Sequence, residues 1–196
     1  MSAPSSPLFT PALLPAEPVL HFPPALLLQA QAIKVVFFDV DGVMTDGGLY
    51  IGEQGENFKR FHSLDGHGIK LLRQAGITPA VVTGRDSPAL RHRLTALGVT
   101  KVRYGTEDKR PAVEALLEEL GLEWSQAAAM GDDWPDAPVL RRVALACVPH
   151  TAHVEIRALA HFVPTQAAGA GAVRELCDLV LVASGHYARL WREASV

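Results

Sequence analysis

Ile33-Lys34-Val35-Val36-Phe37-Phe38-Asp39-Val40-Asp41-Gly42-Val43-Met44-Thr45-Asp46-Gly47 is the stretch that decides the fold. Residues 33–38 are a compact β-branched and aromatic run and read as a buried strand. Two carboxylates one residue apart, Asp39 and Asp41, follow at once, with glycines that mark a turn. In open parallel sheets, ligands sit beyond the carboxyl ends of the strands. This strand end is therefore the first place to look for chemistry.

Outward from it, apolar runs alternate with amphipathic helices. Residues 47–62 read as a β-hairpin, with Leu49-Tyr50-Ile51 on one arm, a turn over 52–55, and Phe58 and Phe61 on the other. A helix is expected over 66–75, closed by Gly76, then a strand over 80–83. Ser87 caps the next helix, Pro88 takes its first position, and Gly98 stops it after the stripe Leu90, Leu94, Leu97. A short strand is expected at 101–104. The helix that follows, from Asp108, carries Val113, Leu116, Leu117 and Leu120 at helical spacing and ends at Gly121. Strands over 127–130 and 143–148 flank a short helix at 135–141. A weak edge strand at 161–163 and a buried helix at 172–183 complete the pattern. The fold class is α/β: a doubly wound, Rossmann-like, mostly parallel sheet with a small hairpin flap and no large cap domain.

The chain has 196 residues, 48% hydrophobic and 20% charged, which fits one globular domain with an appendage and excludes a disordered chain. The formal net charge is −3, so no basic field points to nucleic acid or an anionic membrane. No apolar stretch approaches the roughly 18 residues of a transmembrane helix. Cys147 and Cys177 form no disulfide framework and lack metal-type spacing. A cytoplasmic protein is expected. Seven of the 14 prolines fall before residue 25, so 1–31 read as an extended, disordered arm with room for a short helix around 24–32. The domain spans 32–184 and a tail 185–196. His150, His153 and His161 lack ligand spacing on one face.

Four stations stand at strand ends or a helix start: Asp39-x-Asp41, Thr83-Gly84-Arg85, Asp108-Lys109 and Gly131-Asp132-Asp133. If the sheet forms as expected, they converge. Clustered carboxylates repel unless one is protonated or a cation sits among them. An all-oxygen site suits a hard divalent ion, foremost Mg²⁺. A carboxylate beside a metal, with a second carboxylate next to it, suits phosphoryl transfer: one attacks phosphorus, the other handles the proton. Lys109 and the Thr83 hydroxyl supply positive charge and a donor for the phosphoryl oxygens.

In this order the motifs resemble the haloacid-dehalogenase-like phosphohydrolase superfamily. The stretches Gly55-Glu56-Asn57-Phe58-Lys59-Arg60-Phe61, 65–70 and 171–178 resemble its branch acting on phosphorylated keto-sugar acids. The resemblance implies Asp39 as nucleophile and Asp41 as general acid and base. It implies Mg²⁺ held by Asp39, the Asp41 carbonyl and Asp132, with Asp133 in support and Thr83 and Lys109 on the phosphoryl group. It also implies substrate contacts from His62, Ser63, Leu64, Asp65, Gly66, Lys70, Arg85 and Arg93, and a homotetramer in which a neighbouring chain closes the site. The expected substrate is the octulosonate 8-phosphate of lipopolysaccharide precursor synthesis; the alternatives are a nine-carbon sialic-acid-type 9-phosphate or a broader range of sugar phosphates. Ala170 and Leu64 stand where some members of that family carry arginine, which removes positive charge. A phospho-acceptor signalling domain uses similar residues, but in another order, and has no work for Asp41.

Overall fold

In the computed structural model of the chain, which describes residues 19–53 and 55–194, the apolar run after Lys34 forms β1 (Val35–Phe38), the middle strand of a five-stranded sheet. The other strands are β4 (Thr78–Val82), β5 (Lys101–Arg103), β6 (Ala127–Met130) and β7 (Leu145–Cys147). Their order is β5-β4-β1-β6-β7 and every pairing is parallel, with Val35 level with both Thr78 and Ala127. The chain thus builds outward from β1 to one edge and then returns to build the other side. The order reverses at β1, and such a reversal opens a crevice beyond the strand ends.

Both faces of the sheet are covered. Val36 and Phe38 of β1 face the layer made by α1 (Pro24–Ala30), α2 (Ser63–Gln74), α3 (Pro88–Leu97) and α7 (Ala172–Ala183). Val35 and Phe37 face α4 (Lys109–Leu120), α5 (Ala137–Leu140) and α6 (Val154–Arg157). A strand buried on both faces needs a continuous apolar run rather than alternation, as β1 has. Local signals set the helix ends: the Ser87 hydroxyl accepts the Leu90 N–H at 3.3 Å, and Gly98 ends α3 at φ +67°.

The hairpin forms as β2 (Tyr50–Gly52) and β3 (Gly55–Phe58), a separate antiparallel sheet between β1 and α2. Tyr50 stacks on Phe58 with ring centroids 4.4 Å apart. No large cap domain interrupts the described residues.

Some boundaries differ from the sequence reading. The edge strand expected at 161–163 shrinks to one parallel bridge between Cys147 and Phe162; Pro164, which has no N–H, follows directly. The helix expected at 135–141 splits into a 3₁₀ turn, Trp134–Asp136, and α5, because Pro135 and Pro138 each remove a donor from a continuous ladder. Residues 1–18 of the expected arm lie outside the described residues. Its end is packed: α1 buries Leu26 and Ala30, and the Gln29 amide donates to the Ala144 carbonyl at 2.6 Å. The tail forms α8 (Tyr187–Ala194), which buries Leu190. Among the described residues no helix is long and apolar enough to cross a membrane.

Candidate active site

Hydrogen bonds that continue the sheet by one residue fix where each functional side chain leaves it. The Asp39 N–H donates to the Met130 carbonyl at 3.0 Å, just past the last residues of β1 and β6. The Thr83 N–H does the same to Arg103, beyond β4 and β5, also at 3.0 Å. After Asp39 the chain turns sharply, with the N–H groups of Val43, Met44 and Thr45 gathered on the Val40 carbonyl. Gly42 makes this turn at φ +81°, and a Cβ there would collide with the Asp132 carboxylate. Lys109 enters as the first residue of α4.

Asp39, Asp41, Thr83, Lys109, Asp132 and Asp133 line one open cavity, with Arg85 and Glu107 on its wall. The four stations read from the sequence therefore converge. Lys109 Nζ lies 2.9 Å from Asp39 Oδ1 and 2.6 Å from Asp136 Oδ1, nearly buried. An ammonium at a helix start opposes the helix dipole; here two carboxylates hold it in place. Burial works to lower the Lys109 pKa, but Asp136 and Asp39 outweigh it, so the net displacement is upward and the side chain stays charged.

The carboxylates carry the cost of this crowding. Burial pushes Asp39 up to about 6, with Lys109 pulling back and Asp136 adding to the rise. Burial pushes Asp132 up to about 7, and Asp39 and Asp136 add repulsion. Oxygens of Asp39, Asp132 and Asp136 lie within 4.8 Å of one another, close enough to surround one cation. Asp136 is the least free of the three. Its Oδ2 accepts the N–H groups of Asp132 and Asp133 at 3.0 and 3.2 Å while its Oδ1 takes Lys109. Asp39 and Asp132 keep oxygens for a metal. The donor set is all oxygen, as a hard divalent cation requires.

Asp41 points its Oδ1 at the ammonium of Lys59, 2.6 Å away. Its Oδ2 is buried and accepts no hydrogen bond, with Arg85 Nε 3.8 Å off. Sequence reasoning missed both Asp136 and Lys59. Asp136 had a visible signal as the last carboxylate of the loop 131–136, where it reads as a helix cap. Lys59 had none beyond its place in the stretch 55–61, since a lysine at the foot of a hairpin looks like a surface lysine.

Of the substrate-contact candidates, Arg85 alone lines this cavity within the chain. Asp65 is buried at the start of α2, where its carboxylate accepts the N–H groups of Gly171 and Arg174 at 3.3 and 2.9 Å. The Arg93 guanidinium donates to the His62 carbonyl at 3.1 Å and lies over the Phe61 ring. Gly66 gives Arg93 the room to do so, since a Cβ there would meet the guanidinium. Ser63 and Lys70 are exposed on α2. Leu64 and Ala170 line a second groove together.

Comparison with known proteins agrees with this geometry. Residues 61–144 match the family of haloacid dehalogenase-like hydrolases. The chain is 41% identical to the 3-deoxy-D-manno-octulosonate 8-phosphate phosphatase of Yersinia pestis over 81% of this chain and 84% of that protein. The crystal structure of the Yersinia pestis phosphatase superposes with a TM-score of 0.82 at 40% identity, covering 84% of this chain and 89% of the other. The phosphatase of Moraxella catarrhalis, solved with a magnesium ion, a phosphate ion and KDO, superposes at 0.84 with 33% identity over 86% of this chain and 97% of its own. Identity on this scale over most of both chains makes the chain a member of the haloacid dehalogenase-like hydrolases and a phosphoric monoester hydrolase.

Proposed function

We propose that the chain removes phosphate from 3-deoxy-D-manno-octulosonate 8-phosphate, a step of lipopolysaccharide precursor synthesis, through a phosphoryl group carried on Asp39. The observation that carries this reading is the convergence of Asp39, Asp41, Thr83, Lys109 and Asp132 on one cavity. The relatives of similar length that act on this ester supply the substrate class.

In the first step an Asp39 carboxylate oxygen bonds to phosphorus as the bond from phosphorus to the sugar oxygen breaks. The departing oxygen takes a proton from Asp41 and leaves as the alcohol. In the second step Asp41 accepts a proton from water as that water attacks phosphorus, freeing phosphate and the Asp39 carboxylate. Burial favours a neutral Asp39, and the Lys109 ammonium 2.9 Å away opposes that by favouring the nucleophilic carboxylate. The same ammonium and the Thr83 hydroxyl face the cavity where charge develops on the phosphoryl oxygens. Mg²⁺ fits the oxygen donors of Asp39, Asp132 and the Asp41 carbonyl; when bound it supplies further positive charge at the phosphoryl oxygens. Asp133 supports the loop, its N–H held by Asp136.

The substrate's own carboxylate calls for a guanidinium, and half-exposed Arg85 stands on the cavity wall. The hairpin, whose Lys59 reaches Asp41 on the cavity wall, leaves Ile51 and Phe58 63% and 55% exposed. Apolar side chains on a two-stranded hairpin need cover. This supports a homotetramer in which a neighbouring chain closes the cavity.

The test is Mg²⁺-dependent phosphate release across the octulosonate 8-phosphate, a nine-carbon 9-phosphate and simple hexose phosphates, with Asp39→Asn as control. Preference for the eight-carbon acid, abolished in the variant, is expected. Equal turnover of the whole panel overturns the substrate assignment and leaves the chemistry standing.

A further inference from the structure

Lys59 is the most buried cation near the cavity, its side chain 1% exposed. It follows β3 directly, so the ammonium belongs to the hairpin while its partner Asp41 belongs to the turn after β1. The bond to Asp41 Oδ1 is 2.6 Å, and Glu56 Oε1, three residues back on β3, lies 2.9 Å from the same ammonium. Lysine is seldom buried this completely unless it is paired. The pairing here is lopsided in a useful way. It engages one oxygen of Asp41 and leaves the other, Oδ2, buried without a hydrogen-bond partner, 3.8 Å from Nε of Arg85 on the cavity wall.

We propose that Lys59 is a positioning residue for the proton-transfer step: it locks the Asp41 carboxyl group so that Oδ2 is the atom presented to the leaving oxygen. An aspartate free to rotate about its terminal torsion presents either oxygen over a broad range of angles. A general acid works only within hydrogen-bond reach of the oxygen it protonates. With Oδ1 held by an ammonium, the torsion is fixed and the proton travels from Oδ2 to the alcohol as the bond to phosphorus breaks. Because the clamp rides on the hairpin, the alignment of Asp41 depends on the hairpin being seated. Glu56 holds the ammonium from the hairpin side. This rests on the reading of Asp41 as general acid given above.

Leaving groups distinguish this role from general support of the fold. An alkyl phosphate releases a poor leaving group that needs the proton; p-nitrophenyl phosphate releases a stable phenolate that does not. The experiment measures kcat for Lys59→Met, Lys59→Arg and the unmodified enzyme on the octulosonate 8-phosphate and on p-nitrophenyl phosphate, with Mg²⁺ saturating. The ratio of the two kcat values does not depend on how much of a preparation is folded. For Lys59→Met the ratio of alkyl to aryl turnover is expected to fall about 30-fold, less than the roughly 10²–10⁴-fold that general acid catalysis as a whole contributes, because Asp41 itself is retained. Lys59→Arg, which keeps a donor, should recover most of it. Should Lys59→Met yield no folded protein, Lys59→Leu, which likewise has no donor, takes its place with the same expected ratio. Equal losses on both substrates, or an unchanged ratio, overturn the proposal. If the unmodified enzyme ignores the octulosonate ester but turns over another alkyl phosphate, the substrate assignment fails, and the ratio measured on that other ester still decides the role of Lys59.

Discussion

The Cα of Gly42 faces the carboxylate of Asp132 so closely that no side chain fits between them. The two residues come from different strand ends, and their contact is where the turn after β1 meets the loop after β6. Gly42 also sits at φ +81°, a conformation that costs an L-residue roughly 1–2 kcal/mol. Gly42→Ala therefore acts twice. It strains the turn that carries Asp39 and Asp41, and it drives the Asp132 carboxylate from its place. A folded protein with the Mg²⁺ concentration for half-maximal activity raised at least about tenfold is expected. A Mg²⁺ titration of turnover checks this, and an unchanged half-point would mean that Asp132 does not hold the cation.

Asp136 is the hub of the acidic loop. It accepts two backbone N–H groups with one oxygen and the Lys109 ammonium with the other. Removing it leaves a buried ammonium with Asp39 as its sole carboxylate partner at 2.9 Å and two N–H groups without their acceptor. Breaking a buried pair of this kind costs about 3–5 kcal/mol. Asp136→Ala should show that loss in chemical denaturation, together with a fall in kcat as Lys109 loses its alignment. Asp136→Asn keeps an acceptor for the N–H groups, so it should recover much of the stability while kcat stays low. Stability and kcat recovering together in Asp136→Asn would argue against a separate role for the negative charge.

Legibility in the sequence followed physical locality. β1, β4 and β6 were readable because strands buried on both faces need apolar runs, and α3 because Ser87, Pro88 and Gly98 mark its ends. Asp39, Thr83, Lys109 and Asp132 were readable as site residues because each stands at the end of an expected strand or the start of an expected helix. Lys59 was not, since what buries it is a contact with Asp41 across 18 positions that no local pattern encodes. Asp136 looked like a cap and does help order the 3₁₀ turn; its second partner, Lys109, is 27 positions away. The helix α8 escaped for a similar reason, because one buried leucine, Leu190, docks it. Edge strand 161–163 was overread, as a β-rich run before a proline has little room to pair.

Asp65 separates a fold-supporting role from a binding role. Its carboxylate bridges α2 to the start of α7 through the Gly171 and Arg174 N–H groups. Asp65→Ala leaves both donors without that acceptor, at a cost of about 2 kcal/mol, or roughly 4–8 °C in Tm for a domain of this size. Differential scanning calorimetry measures it. The accompanying KM should stay within about twofold, because the carboxylate points into the α2–α7 contact; a large KM change with an unshifted Tm would place Asp65 on the substrate instead.

Cation binding and pH are linked through the same crowded carboxylates. Burial raises Asp39 to about 6 and Asp132 to about 7 in the metal-free protein, both above the ordinary value of 3.8. The sign follows from which form the fold prefers. Each raised carboxylate favours the folded state while it is protonated, so its contribution is complete below about pH 4 and is lost as pH rises through 6 to 7. Metal-free protein should therefore lose this part of its stability across that interval. Mg²⁺ needs the ionised forms, so its binding expels protons below about pH 7 and strengthens as pH rises. Because a ligand at free concentration L stabilises by RT ln(1 + L/Kd) and Kd falls as the carboxylates ionise, the rise in Tm caused by a fixed Mg²⁺ concentration should grow from pH 5 to pH 8. Thermal unfolding in EDTA and in Mg²⁺ across that range tests the linkage. A Tm increment that stays constant with pH would show that the cation does not displace protons from Asp39 and Asp132, and that the metal is held elsewhere.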